Sequence, residues 1–301
     1  MIDLLSKIEY MVSVMTILES IILGIVEGLT EYLPVSSTGH LIITRYLLGL
    51  SDNDAQKAFE ICIQGGAILA VLGIYFRRVK SIAIDSFAWI FNKQEDGKRE
   101  PLPAGVRLLL NMIIAFIPAA FFGVLLGDII KEYLFSAPVV TVTWALGGLV
   151  ILLYVRARER RGEDFSGKQL EELSCAGALK VGLLQCIAMC PGVSRSLMTM
   201  LGGLFAGLSV AAAVEFSFLL GLITLGAATV HDAWKYGNDM ISTIGWGPII
   251  AGTLTAWLSA IIAVKWMVGY LNKHSLSIFG WYRLGAAAVM LGLILFAGFS
   301  I

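Results

Sequence analysis

The chain has 301 residues, 57% of them hydrophobic and only 15% charged, with a formal net charge of zero. A soluble domain carries about a quarter charged residues, so a water-soluble globule is excluded and an integral membrane protein is expected. Glycine, at 32 residues, suits helices that approach closely in lipid.

Asp3, Lys7, Glu9 and Glu19 interrupt the N-terminal stretch and no small-residue cleavage site follows, which is not the layout of a signal peptide. The segment at about 14–50 is apolar at both ends and polar in the middle, where Glu27, Glu31, Pro34, Ser36, Ser37, Thr38, Gly39 and His40 stand. On a helix Glu27 and Glu31 share a face. Pro34 stops that helix, because the residue before a proline is pushed out of the α region. Ser36, Ser37 and Thr38 are natural N-caps for a second half-helix, with Gly39 and His40 in its first turn. Spans are expected next at 56–76, 108–127 and 137–155, each near the ~20 residues a bilayer helix needs.

A second broken apolar segment follows at about 172–206. Pro191 and Gly192 interrupt it, and Ser194, Arg195 and Ser196 restart it. The last spans are expected at 209–232, 243–266 and 281–300. Three basic stretches separate these elements: Arg77, Arg78, Lys80, Lys93, Lys98, Arg99 and Arg107; then Arg156, Arg158, Arg160, Arg161 and Lys168; then Lys265, Lys273 and Arg283. The positive-inside rule places all three in the cytoplasm, and the connections at 128–137 and 231–247 outside.

That parity gives six crossings and leaves the two broken segments as re-entrant hairpins, a form tolerated where protein or a cavity surrounds it. The expected fold is an all-α integral membrane protein with six transmembrane helices, two re-entrant helical hairpins and inverted-topology repeats. Residues 1–155 form the first repeat, 156–171 a cytoplasmic linker and 172–301 the second. Gly28 through Glu31 resembles Gly182 through Gln185, Pro34 through Ser37 resembles Pro191 through Ser194, and Ala58 through Gly66 resembles Ala213 through Gly221. Inverted repeats with broken helices bring the half-helix ends to one site near the membrane middle.

An ionised side chain inside a membrane marks a functional site by default. Half-helix N-termini bind phosphate, and Arg195 adds a fork suited to phosphate oxygens. Glu27 and Glu31 would repel a phosphate unless a hard cation such as Mg²⁺ or Ca²⁺ bridges them to it or one accepts a proton. They are also readable as a structural pair neutralised by Arg195. A hydroxyl beside a histidine, Ser37 and His40, suits attack on phosphorus. Ser36, Thr38, Gly39, Ser194 and Ser196 are candidate phosphate contacts, although serine and threonine often only bond across membrane helices. Glu60 and Glu215 read as structural carboxylates at the starts of spans, and Gln64 as a weak candidate for the lining. Arg45 either snorkels to the interface or meets an anionic ligand. Trp234, Tyr236, Trp246 and Trp281 read as interfacial anchors. The four cysteines, with no histidine near Cys186 and Cys190, read as buried small hydrophobes.

The long first motif from Glu27 to His40, with Pro191 through Ser196 far downstream, resembles the bacterial undecaprenyl-diphosphate phosphatases, the bacitracin-resistance proteins. The likeness covers most of the chain; the family has glycine where Leu197 stands, and the N-terminus is about ten residues longer. It implies removal of one phosphate from undecaprenyl diphosphate, dependence on a divalent metal, and a site open to the extracytoplasmic side of the inner membrane. By motif position it implies Glu27 and Glu31 in metal binding or proton transfer, Ser37 as nucleophile, His40 as its base or an alternative nucleophile, and Arg195 as phosphate clamp. The partners expected are a polyprenyl diphosphate and membrane lipid, with a homodimer possible and no nucleic acid. A polyprenyl-phosphate flippase on the same inverted-repeat site is the competing reading.

Overall fold

A computed structural model describes residues 15–50, 54–91, 102–162, 166–297 and 299. The charges at positions 3–9 and Lys93, Lys98 and Arg99 lie outside the described residues. Among those described, the chain is helical apart from short connections and one isolated bridge between Lys168 and Leu208.

The first broken segment folds as α1 (Ile17–Thr30) and α2 (Ser37–Leu48). Thr16 opens α1 with a reciprocal box: its hydroxyl accepts from the Glu19 N–H, and the Glu19 carboxylate accepts from the Thr16 N–H. Gly49, at φ 66°, ends α2 in the left-handed conformation glycine adopts freely. The second broken segment folds as α7 (Cys175–Ile187) and α8 (Arg195–Phe205). These four helices have 14, 12, 13 and 11 residues. At 1.5 Å per residue each falls short of the ~30 Å hydrocarbon core.

Six helices are long and apolar enough to cross: α3 (Asp54–Ile74), α5 (Ala104–Leu134), α6 (Ala137–Arg160), α9 (Val210–Ile244), α10 (Trp246–Leu271) and α11 (Ser277–Ala297). Their outer faces are apolar, with Val124 93% and Phe296 90% exposed, the surface a bilayer covers. Three boundaries differ from the sequence reading. Part of the first basic stretch is helix α4 (Phe76–Phe91), and α5 and α9 run through most of the expected connections at 128–137 and 231–247. Charge ends an apolar run without ending a helix. The stops are local: α9 stops at Gly245, φ 83°.

Four of the packing pairs map onto one another when the two halves are exchanged. The first hairpin helix of each half lies on the middle span of the other, α1 on α10 and α7 on α5; the first spans pair as α3 on α9 and the last as α6 on α11. Small residues allow the closest approach. A Cβ added at Gly28 would sit 2.1 Å from the Ser259 hydroxyl and 2.2 Å from the Ala256 carbonyl of α10.

Candidate active site

Both breaks restart their helix in the same way. Ser36 and Ser194, the N-caps of α2 and α8, are the two non-glycine residues with positive φ among those described, at 71° and 79°. The structure shifts the expected match by one position, from Ser37 on Ser194 to Ser36 on Ser194, so Ser37 falls on Arg195, Thr38 on Ser196 and Pro34 on Gly192. Gly192, at φ 84°, occupies a conformation and a space that exclude a side chain: its Cβ would lie 2.1 Å from the Thr143 hydroxyl.

The breaks meet. The Arg195 guanidinium of α8 reaches Glu31 at the end of α1, Nη2 to Oε1 at 2.9 Å. Its Nη1 donates to the Ser217 carbonyl at 3.0 Å, and the guanidinium lies over the Tyr32 ring at 5.2 Å. The other Glu31 oxygen, Oε2, accepts from the Ser37 hydroxyl at 2.5 Å. One carboxylate therefore joins hydroxyl and guanidinium, and all three groups are largely buried. Glu27, one turn earlier, is buried with Oε1 lacking a hydrogen-bond partner.

His40 is placed beside this group but bonded elsewhere. Its Nδ1 lies 2.7 Å from the Ser36 carbonyl and its Nε2 2.8 Å from the Tyr282 hydroxyl. A carbonyl only accepts, so Nδ1 carries the proton and Nε2 accepts from the tyrosine. The rings of His40 and Tyr282 stack, 14° from parallel. The hydrogen bond from Ser37 runs to Glu31 and not to His40, although the two residues share a face.

The remaining candidates divide. Ser196 donates to the Leu33 carbonyl at 2.8 Å and pairs with the Ser194 hydroxyl at 2.9 Å, tying the breaks together. Gly39 is a packing residue, since its Cβ would meet the Trp144 ring at 2.4 Å. Thr38 lines the space between the breaks with Ser36 and Ser194. The Leu197 side chain is fully buried in the core, and its N–H is capped by Ser194 Oγ at 3.3 Å.

Ser37, Thr38, Gln64 and Phe135 line both a small polar cavity of about 150 Å³ containing Arg195 and a larger one of about 390 Å³ containing Glu27. Glu60 lines the larger cavity and pairs with Arg45, Nε to Oε1 at 2.9 Å. Arg45 is thus buried near the site and does not snorkel, and Glu60 belongs to the site's wall. Tyr236 also lines this cavity. Glu215 pairs with Arg78 at 3.0 Å, and Arg78 also binds Glu171, as expected of a structural carboxylate. A groove of about 660 Å³ between α6 and α8 holds none of the site residues.

Sequence reasoning missed Arg283. Assigned to a basic stretch, it is instead fully buried and bonded to carbonyls of both breaks. Its place in the first turns of an apolar run was the available signal.

Six membrane-length helices around a buried carboxylate, hydroxyl and guanidinium define a polytopic membrane protein with a charged intramembrane site. The chain matches the family described as "Bacitracin resistance protein BacA" over residues 20–289, and it belongs to that family. It is 41% identical over 274 residues to "Undecaprenyl-diphosphatase 1" of Chromobacterium violaceum, covering 91% of this chain and 94% of the relative. It is 40% identical over 275 residues to "Undecaprenyl-diphosphatase" of Nitrosospira multiformis, at the same coverage. It is 38% identical over 282 residues to "Undecaprenyl-diphosphatase" of Cereibacter sphaeroides, covering 93% and 97%.

Proposed function

We propose that the chain hydrolyses undecaprenyl diphosphate to undecaprenyl phosphate and inorganic phosphate, recycling the lipid carrier for cell-wall synthesis and conferring bacitracin resistance. The observation that carries this reading is the Ser37 hydroxyl, 2.5 Å from a carboxylate whose other oxygen is held by Arg195. It is a nucleophile with a base in hydrogen-bond reach and the base oriented by a third group. The names of the relatives favour hydrolysis over flipping.

In the reaction, Ser37 Oγ attacks the terminal phosphorus as Glu31 takes its proton. The new Ser37 O–P bond forms as the anhydride P–O bond breaks, and the departing undecaprenyl phosphate takes the proton from Glu31, which returns to the carboxylate. Water, deprotonated by Glu31, then attacks the phosphoserine; inorganic phosphate departs and Ser37 recovers its proton. Arg195, on the wall of the cavity that Ser37 also lines, and the N-terminal N–H groups of α2 and α8 stabilise charge on the phosphoryl oxygens. His40, with both nitrogens committed, holds the Ser36 carbonyl and so the start of α2.

The donor set suits a divalent cation. Among the described residues no group of three His, Cys, Asp or Glu converges, but buried, unpartnered Glu27 Oε1 is a carboxylate in want of a cation. Mg²⁺ uses one or two carboxylates with substrate phosphates and water, and Ca²⁺ accepts the same oxygens. Glu27, with Glu31, would hold the ion, which when bound neutralises charge on the diphosphate.

Each hairpin enters and leaves on one side, the two halves have opposite orientation, and the protein sits in the bacterial cytoplasmic membrane with its site facing outward. The basic connections support this orientation. Protein purified in detergent is expected to release phosphate from a polyprenyl diphosphate, and Ser37→Ala, Glu31→Ala and Arg195→Ala to lose that activity. Normal turnover by all three, or movement of polyprenyl phosphate between leaflets without hydrolysis, would overturn the assignment.

A further inference from the structure

Arg283 is one of the largest fully buried side chains, and no carboxylate pairs with it among the described residues. Four backbone carbonyls surround it instead. Nη1 donates to Pro34 at 3.2 Å; Nη2 donates to Gly192 at 2.8 Å and to Thr143 at 3.0 Å; Nε donates to Trp144 at 3.4 Å. A charge in an apolar environment is costly, and these carbonyls are what makes it tolerable.

The acceptors are specific in register. Pro34 and Gly192 are equivalent positions of the two breaks, matched through Ser36 and Ser194. Each lies three residues before a working side chain, Pro34 before Ser37 and Gly192 before Arg195. Broken helices leave carbonyls without intrahelical partners. One rigid, planar fork takes one from each break and anchors both to the backbone of α6. Thr143 reinforces the anchor by donating to the Pro191 carbonyl at 2.8 Å. The neighbour of Arg283, Tyr282, bonds His40 at 2.8 Å.

We propose that Arg283 is a positioning residue of the active site, fixing the distance between the nucleophile on α2 and the phosphate clamp on α8. This rests on the hydrolytic reading above. Lysine cannot replace it fully, because a point charge does not span two carbonyls as a fork does. The effect belongs to the transition state, where Ser37 and Arg195 must grip one phosphorus together, so it falls on kcat more than on KM.

A second variant tests the same idea without touching the arginine. A Cβ at Gly147 of α6 would sit 2.3 Å from Arg283 Nη2 and 2.6 Å from its Cζ. Gly147→Ala therefore pushes the guanidinium off the carbonyls while retaining its charge and favouring the helix.

The experiment measures kcat and KM for phosphate release from a polyprenyl diphosphate, per folded molecule, for wild type, R283M, R283K and G147A in detergent. A misplacement of about 1 Å costs roughly 10²-fold. The expected result is a loss of that order in kcat for R283M and G147A, a smaller loss for R283K, and KM within about threefold of wild type. A merely structural arginine would reduce the amount of folded protein and leave kcat per folded molecule unchanged. Wild-type kcat in folded G147A overturns the proposal, whether or not R283M folds. No phosphate release by wild type itself would instead overturn the hydrolytic reading.

Discussion

Replacing Glu31 by glutamine separates chemistry from folding more cleanly than replacing it by alanine. Glu31 makes two bonds from one carboxylate, to Arg195 at 2.9 Å and Ser37 at 2.5 Å. Glu31→Ala strands a guanidinium that is 12% exposed, and an uncompensated buried charge of this kind costs about 3–5 kcal/mol. Glutamine keeps the volume and one acceptor. Arg195 can only donate, so the amide oxygen turns to it and the NH₂ faces Ser37 Oγ. The hydroxyl then meets a donor where it had a base. Loss of a general base lowers kcat roughly 10²–10⁴-fold, which at 1.36 kcal/mol per decade is about 3–5 kcal/mol of transition-state stabilisation. Ser37→Ala removes the other end of the same hydrogen bond. If the two act as one unit, E31Q/S37A loses little more than either single variant; independent contributions would multiply to about 10⁴–10⁸-fold. Single-turnover phosphate release from a polyprenyl diphosphate reads all four proteins. Multiplicative losses would refute the Ser37–Glu31 couple, as would wild-type rates in S37A.

Four other expectations follow from particular contacts. Chelation abolishes turnover and added Mg²⁺ or Ca²⁺ restores it, whereas Glu27→Gln requires far more metal; metal titrations that coincide for the two proteins would remove Glu27 from the cation site. Ser36→Gly relieves a strained φ of 71° with no side-chain cap to lose, raising stability by about 1 kcal/mol; Ser194→Gly gains less because its hydroxyl bonds Leu197 N–H and Ser196, and equal gains on thermal unfolding would contradict this. Gly28→Ala forces α1 off α10 and costs about 1–3 kcal/mol, so unchanged thermal stability would show that the helices yield. Arg78 donates to Glu171 and holds its carboxyl below the usual value of 4.5. A depressed folded pKa makes this contribution full above the unfolded value and lost as pH falls through the folded one. The stability difference between wild type and Glu171→Gln is therefore present at pH 7 and fades below about pH 4.5; a pH-independent difference would exclude it.

The fold was largely legible because hydropathy and proline report what lipid and backbone sterics demand. Six apolar runs became six membrane-length helices, and the breaks at Pro34 and Pro191 became turns between short helices. Helix ends were less legible: the lengths of α5 and α9 depend on local stops at Phe135 and Gly245, not on where charge begins. The grouping of Glu31, Ser37 and Arg195 followed from the two motifs, whereas the partners of individual groups did not. Sequence spacing offered His40 as the neighbour of Ser37, but the turn at residues 31–36 brings Glu31 back onto Ser37, six residues away. Glu60 looked peripheral because its role depends on Arg45, fifteen positions earlier, across the larger cavity. Arg283 looked like loop charge because its acceptors are main-chain carbonyls, which have no side-chain signature.

The two breaks also show how a repeated motif acquires a divided task. Ser36 and Ser194 hold the same left-handed turn, and the next residue in each half points toward the common space as the first residue of a helix. In one half that residue is Ser37 and in the other Arg195. The short helices before the breaks diverge as well: in the sequence match of Gly28–Glu31 with Gly182–Gln185, four positions out of the Ser36–Ser194 register, Glu31 meets Gln185, whose side-chain O and N are buried without hydrogen-bond partners. The Glu31 carboxylate lies where both the Ser37 hydroxyl and the Arg195 guanidinium reach it. In the proposed reaction, the same backbone turn, used twice with different first residues, supplies the nucleophile with its base from one half and the phosphate clamp from the other. Arg283, bonded to the equivalent carbonyl of each turn, is the element through which the two copies keep their spacing.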